Sequence, residues 1–232
     1  MLKHIFVIFI IFLCPNIILA QGQVSRPIKI HGSNKNKLSK CEVVDLGLPS
    51  GTKWAICNIG AKNPEDVGDF YSWGEVKSKS SYTRESYRMN DLDKDITGKS
   101  AYDVATTTFG KEYSIPTKTD FEELIDNCTK NYTELNGVRG TLFVGPNGNS
   151  IFLPLTGRKF STVQDNIIGF YWTSTTAKIT DIRFARPMGK DSDSPREPKV
   201  NGAYLFSHRD SGTYIYGNER YQGNCIRPVR RD

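Results

Sequence analysis

One short stretch dictates most of what this chain can become. Phe121, Leu124, Ile125 and Cys128 recur at i, i+3, i+4 and i+7, which predicts a helix over 118–127 with one buried face. Pro116 precedes it. Thr117 and Asp120 form a capping box, in which each side chain can satisfy the other's free backbone donor. After this helix the chain holds only short apolar segments between turn residues. Segments 141–144 and 150–153 flank Gly145-Pro146-Asn147-Gly148, a hairpin signal. Segments 170–174, 203–207, 212–216 and 225–229 read as further strands. Before the helix, 42–48 and 53–59 are strand-like and are separated by the turn Pro49-Ser50-Gly51. Asn63-Pro64-Glu65-Asp66 predicts a second helix start: a capping Asn, Pro at the first position and acids in the first turn, ended by Gly68. Segment 77–98 is polar and aperiodic and reads as a long surface loop. One or two short helices and a mostly antiparallel set of short strands make an α+β domain.

The first twenty residues have a different character. Lys3 precedes the unbroken apolar run 5–13, Pro15 and Asn16 interrupt it, and Ile18-Leu19-Ala20 puts a small residue before Gln21. Charge, apolar core and small residue, in that order, predict a signal peptide over 1–20, cleaved after Ala20. A spanning helix needs about 20 mostly apolar residues, and the Pro-Asn pair breaks this segment early. Cys14 is a poor lipid-attachment site, because Ile-Phe-Leu before it lacks a small residue. Residues 21–41 are rich in Lys, Asn and Ser without an apolar period, which predicts a flexible linker. The domain then occupies 42–232. The expectation is an exported protein, secreted, periplasmic or at the cell surface, with no transmembrane segment after cleavage.

The chain carries 31 Lys and Arg against 25 Asp and Glu, a net charge of +6. The charges are mixed, and only Arg227, Arg230 and Arg231 cluster, at the end. Nucleic acid binding shows as a clustered basic face and is not expected here. Of five cysteines, Cys14 leaves with the signal peptide. Cys41, Cys57, Cys128 and Cys225 remain at wide spacing with no C-x-x-C pair, which argues against zinc. An even count in an exported chain favours disulfides; the alternative is buried thiols acting as small apolar residues. Four cysteines permit three pairings.

Catalytic groups are sparse. His4 lies in the signal segment and His31 in the linker, which leaves His208 alone in the domain, read as a surface residue at a strand end. A histidine-based nucleophile triad or metal site therefore lacks partners. There is no Gly-rich phosphate loop, and no cofactor is implied. Asp91, Asp93 and Asp95 alternate as in a calcium loop, but Ile96 stands where that loop needs Gly and Tyr102 where it needs the closing Glu. A solvated acidic loop fits better. The tail is more suggestive: Arg209, Tyr214, Tyr216, Asn218, Arg220 and Tyr221 combine rigid aromatic area with directed hydrogen bonding, the mixture of binding surfaces. The competing reading is that alternate tyrosines simply cover the outer face of a strand.

The run Val44-Asp45-Leu46-Gly47-Leu48-Pro49-Ser50-Gly51-Thr52-Lys53-Trp54-Ala55 resembles the opening of the Fibrobacter succinogenes major paralogous domain, found in exported Bacteroidetes proteins. So do Asn58-Ile59-Gly60-Ala61, Pro64-Glu65-Asp66, Tyr71-Ser72-Trp73-Gly74-Glu75, Ile115-Pro116-Thr117, Gly145-Pro146-Asn147-Gly148-Asn149, Tyr171-Trp172-Thr173-Ser174 and Ile226-Arg227-Pro228-Val229, in the same order. Phe109 and Tyr113 stand where the family usually has Trp, and 181–201 looks like a longer insertion. The resemblance implies a fold similar to C-type lectins. It carries over neither the late cysteine pair of the enzyme relatives, since Cys225 stands alone, nor calcium-dependent sugar binding, since Glu197-Pro198-Lys199 is a poor echo of the lectin motif. In such a fold the first and last strands usually pair. That implies a Cys41–Cys225 bond and leaves Cys57 for Cys128.

Three functions remain open. The first is a non-enzymatic binding module for a glycan or protein at the bacterial surface or outside the cell, using the tail residues. The second is an enzyme acting on polysaccharide or exported protein, and the third a structural part of a surface assembly.

Overall fold

A computed structural model describes residues 41–161, 163–165, 167–178 and 202–232. The expected signal peptide, the expected linker up to residue 40 and the expected insertion 181–201, including Glu197-Pro198-Lys199, lie outside the described residues. Two helices and twelve strands follow in chain order: β1 Val43–Asp45, β2 Lys53–Ala55, α1 Val104–Phe109, β3 Tyr113–Ser114, α2 Lys118–Asn127, β4 Thr129–Leu135, β5 Val138–Val144, β6 Ser150–Pro154, β7 Arg158–Phe160, β8 Val163–Asp165, β9 Gly169–Ala177, β10 Gly202–Arg209, β11 Gly212–Glu219 and β12 Val229–Arg230. Every named strand pair is antiparallel, so the domain is α+β with short helices and antiparallel sheets.

Helix α2 forms as its sequence predicts. Thr117 Oγ1 accepts from the Asp120 N–H at 3.1 Å, and Asp120 Oδ2 accepts from the Thr117 N–H at 2.6 Å. This reciprocal cap lets the helix start on the protein surface and turn Phe121 and Leu124 inward. The Phe121 ring stacks on Phe206, 4.3 Å between centroids, and meets Trp54 edge-on at 5.0 Å.

The other expected helix does not form. At 62–66 the Asp66 carboxylate accepts the N–H groups of Lys62 and Asn63, which closes a turn, and Gly68 at φ 76° redirects the chain. The second helix is α1 instead. Its cap, Asp103, accepts from the N–H groups of Ala105, Thr106, Gly98 and Ile115 at 2.9–3.1 Å. A single buried carboxylate thus organises 98–115. Burial pushes its pKa up, against the pull of those N–H donors.

The sheets are small and interlock through the chain end. Their orders are β1-β2-β12-β3, β11-β10-β9, β4-β5-β6 and β7-β8. The pair β9–β10 divides the core. Tyr171 and Phe206 are opposite each other and face one apolar cluster with Trp54, Phe121 and Phe143; the next pair, Trp172 and Leu205, faces a second cluster with Trp73, Ile96 and Tyr113. Strand alternation therefore buries both faces. His208, expected on the surface, is fully buried: its ring packs against those of Tyr171 and Phe206, each 5.7 Å away, and its Nδ1 lies 2.9 Å from Thr141 Oγ1. Gly169 is required beside it, because a Cβ there would fall 2.0 Å from His208 Nε2. Among the described residues no helix is long and apolar enough to cross a membrane.

Arg227 fastens these parts together. It is fully buried, and its guanidinium donates to Asn58 Oδ1 at 2.8 Å, to the carbonyls of Ala55 and Phe152 at 3.1 and 2.9 Å, and to that of Ile56. Four acceptors from two segments, 55–58 and β6, converge on one side chain. Replacing it by Met leaves them without donors in the interior. We expect Arg227→Met to destabilise the domain by about 3 kcal/mol or more, read as a fall in the urea midpoint. Arg230→Met, at the surface, should change stability by less than about 1 kcal/mol.

His208 gives a second prediction. Burial pushes its pKa down to about 3, from an ordinary 6.5. The unfolded chain therefore binds a proton between these values that the folded domain refuses, and stability must fall as pH drops through that window. Between pH 7 and 5 few other groups titrate. The urea midpoint should drop across this interval, and His208→Gln should flatten the drop.

Candidate functional site

The six tail residues proposed from the sequence do not form one patch. The hairpin β10–β11 runs from the pair Gly202–Glu219 to the turn at Arg209–Gly212. Arg209 and Tyr214 sit at its turn end, with the guanidinium 6.0 Å from the ring centroid. Tyr221 lies past the opposite end, roughly 17 Å of strand away from Tyr214. Tyr216 is half-buried and packs on the second core cluster.

Asn218 and Arg220 are interior residues. Asn218 donates to Gln222 Oε1 at 2.8 Å. Arg220 donates to the Gly202 carbonyl at 3.0 Å and to that of Leu92, and its guanidinium lies 4.1 Å from the Trp73 ring. It ties the 75–92 loop to β10. The loop expected over 77–98 is thus irregular but anchored: Tyr82 and Tyr87 are buried, and their hydroxyls donate to the carbonyls of Phe70 and Trp73 at 2.5 and 2.8 Å.

Tyr221 is where the expected residues meet unexpected ones. Its ring contacts Phe160 at 6.3 Å between centroids, in an edge-on arrangement. Arg158 covers Phe160 at 4.7 Å, and Arg84 covers Tyr221 at 5.6 Å. Arg84 also pairs with the Glu219 carboxylate, which accepts the Tyr221 hydroxyl at 2.8 Å. Burial, and then that bond to Glu219, holds the Tyr221 phenol protonated above its usual range. The result is a ridge of two rings and two guanidinium groups, assembled from the 75–92 loop, β7 and the segment after β11. Phe160 is 38 % exposed, so its ring is open to a partner beside Tyr221.

Strand alternation puts Lys159 on the other side of β7 from Arg158 and Phe160. There it lies 4.9 Å over the Phe70 ring, and Lys79 lies 5.6 Å over Tyr82. Both line a shallow pocket of about 290 Å³ with Asp69. Sequence reading missed Phe160, Arg158 and Arg84. The available signal was Arg158-Lys159-Phe160, a basic-aromatic triplet just before the apolar strand β9.

The remaining chemical groups are engaged in holding the fold. His208 is enclosed among aromatic rings. Of the buried carboxylates among the described residues, Asp103 caps α1, and Asp120 caps α2 and pairs with Arg231. Asp95 accepts from the Thr176 N–H at 2.7 Å, and Ile96 beside it is fully buried, which ties the acidic 91–95 segment to β9. Among the described residues, no three His, Cys, Asp or Glu side chains group as metal ligands.

The four cysteines are free thiols, and neither expected bond is present. The sheet order explains this. β2 lies between β1 and β12, so the first and last strands are not neighbours. Cys225 pairs instead with Tyr171 of β9, and its thiol donates to the Val67 carbonyl at 3.3 Å. Cys128 ends α2 and packs in the first core cluster.

Comparison with protein-family models, curated proteins and solved structures gave no match to this chain.

Proposed function

We propose that this chain is an exported, non-enzymatic binding module of C-type-lectin-like fold, related to the Fibrobacter succinogenes major paralogous domain. Its ligand, a protein or a glycan, docks on the ridge of Arg84, Tyr221, Phe160 and Arg158. One observation carries this reading: two partly exposed aromatic rings in contact, each covered by a guanidinium. Aromatic and arginine side chains supply most of the energy at protein interfaces, because they combine large rigid area with fixed donors. Here the rings are already held in place, so little entropy is lost on contact. Arg158 and Arg84 add fixed N–H donors at the ridge, with Arg84 held by the Glu219 carboxylate, which suits a ligand that presents carbonyl or hydroxyl oxygens. The signal-like first twenty residues support export.

The test is a pull-down from the native environment together with a glycan array, using the full chain. Phe160→Ala and Tyr221→Ala should each weaken binding of the captured ligand by about tenfold or more, with unchanged circular dichroism. Tyr214→Ala, at the far end of the hairpin, should change it by less than about threefold. Loss of binding in Tyr214→Ala alone would move the site to the hairpin turn. Turnover of a polysaccharide or protein by the wild type, lost in a single Asp or Glu variant, would replace the reading with an enzyme.

A further inference from the structure

The register of the first two strands brings two of the free cysteines face to face. β1 and β2 pair Val43 with Ala55, Val44 with Trp54 and Asp45 with Lys53. The Ile56 N–H donates to the Glu42 carbonyl at 3.1 Å, which continues the ladder by one pair. The next pair in this register is Cys41 with Cys57.

The character of that pair follows from alternation. In an antiparallel ladder, hydrogen-bonded and non-hydrogen-bonded pairs alternate. The Ala55 N–H points away from β1, to the Pro228 carbonyl, so Val43–Ala55 is a non-hydrogen-bonded pair. Glu42–Ile56 is then hydrogen-bonded and Cys41–Cys57 is not. Such pairs bring Cα atoms to about 4.5 Å, within the span of about 4.4–6.8 Å that a disulfide bridges.

Three further observations agree. Cys41 and Cys57 interact electrostatically, and both lie near the Arg227 guanidinium. Both are only partly buried, unlike Cys128 and Cys225. Cys41 also lines an open cleft of about 580 Å³ with Tyr113 and Arg230, and the Tyr113 hydroxyl holds its carbonyl at 2.7 Å. An oxidant can therefore reach this pair.

We propose that Cys41 and Cys57 are a redox pair that closes a cross-strand disulfide and staples the edge strand β1 to β2. The oxidant is a small or protein disulfide, such as oxidised glutathione. One cysteine thiolate attacks it and forms a mixed disulfide, releasing one thiol. The second cysteine thiolate then attacks the sulfur of the first, and the second thiol leaves. Two protein thiols lose two protons and two electrons, and the oxidant's disulfide becomes two thiols. Burial pushes the Cys41 thiol up to about 11, so at neutral pH closure is slow and accelerates as pH rises.

The experiment is peptide mapping of the full chain without reduction, after incubation with oxidised glutathione at pH 8.5. A Cys41–Cys57 linked peptide is expected, while Cys128 and Cys225 are alkylated as free thiols after denaturation. Cys57→Ser should give no bond between Cys41 and another domain cysteine. The oxidised wild type should melt several degrees above its reduced form, and Cys57→Ser should show no such difference. A Cys41–Cys225 or Cys57–Cys128 peptide would overturn the proposal. So would full alkylation of Cys41 and Cys57 after oxidation, a result on the wild type that does not depend on any variant folding.

Discussion

Everything near the centre of this domain depends on one buried cation. Among the described residues Arg227 has no carboxylate partner; its guanidinium is satisfied by Asn58 and by carbonyls at the end of β2 and in β6. Removing an arginine from water without a counterion is expensive, and neutral acceptors offset the cost only when the geometry satisfies several N–H groups at once. That demand fixes two segments distant in sequence, 55–58 and β6, around the chain end. It also requires the chain end to run inside the molecule, which is how β12 comes to lie between β2 and β3. The closing strand is thus inserted rather than appended, and β1 is left at the sheet edge.

Arg220 repeats the same device on the other side of β10. It lies on the Trp73 ring and donates to two carbonyls, one of them in the long loop. The consequence reaches the proposed docking ridge. By anchoring the 75–92 loop, Arg220 holds Arg84 over the Tyr221 ring at the neighbouring position. A buried arginine and a partly exposed tyrosine, adjacent in sequence, do opposite jobs: one orders the loop and the other belongs to the ridge that the loop completes.

This division explains what could be read from the sequence and what could not. The α2 cap and the 145–148 hairpin were legible because their causes are local: a side chain satisfying a nearby donor, and turn residues between two apolar runs. The burial of Arg220, Arg227 and His208 was not legible, because a charged or polar residue goes inside only when distant segments supply its partners. The helix expected at 63–66 failed for a related reason: Asp66 found its donors within a tight turn, and no apolar face followed to make a helix worth forming. One of the four candidate-site residues was visible, since Tyr221 stands in an aromatic-rich tail. Phe160, Arg158 and Arg84 were not, since only topology brings them to it.

The cysteines show the same contrast in a sharper form. A rule about which strands pair in a fold gave Cys41 to Cys225, whereas the register places Cys41 opposite Cys57. The edge position of β1 gives that pair its physical meaning. A three-residue edge strand has one neighbour and few ladder bonds, so it opens more readily than the strands inside the sheet. Yet Leu46, just beyond it, belongs to the first core cluster, and Val43 packs on the second. Holding β1 in register therefore keeps both clusters closed at their common edge. A covalent link at Cys41 acts at the one end of the strand where the ladder stops, while the Gly47 turn, pinned by its N–H donating to Asp45 at 2.8 Å, holds the other.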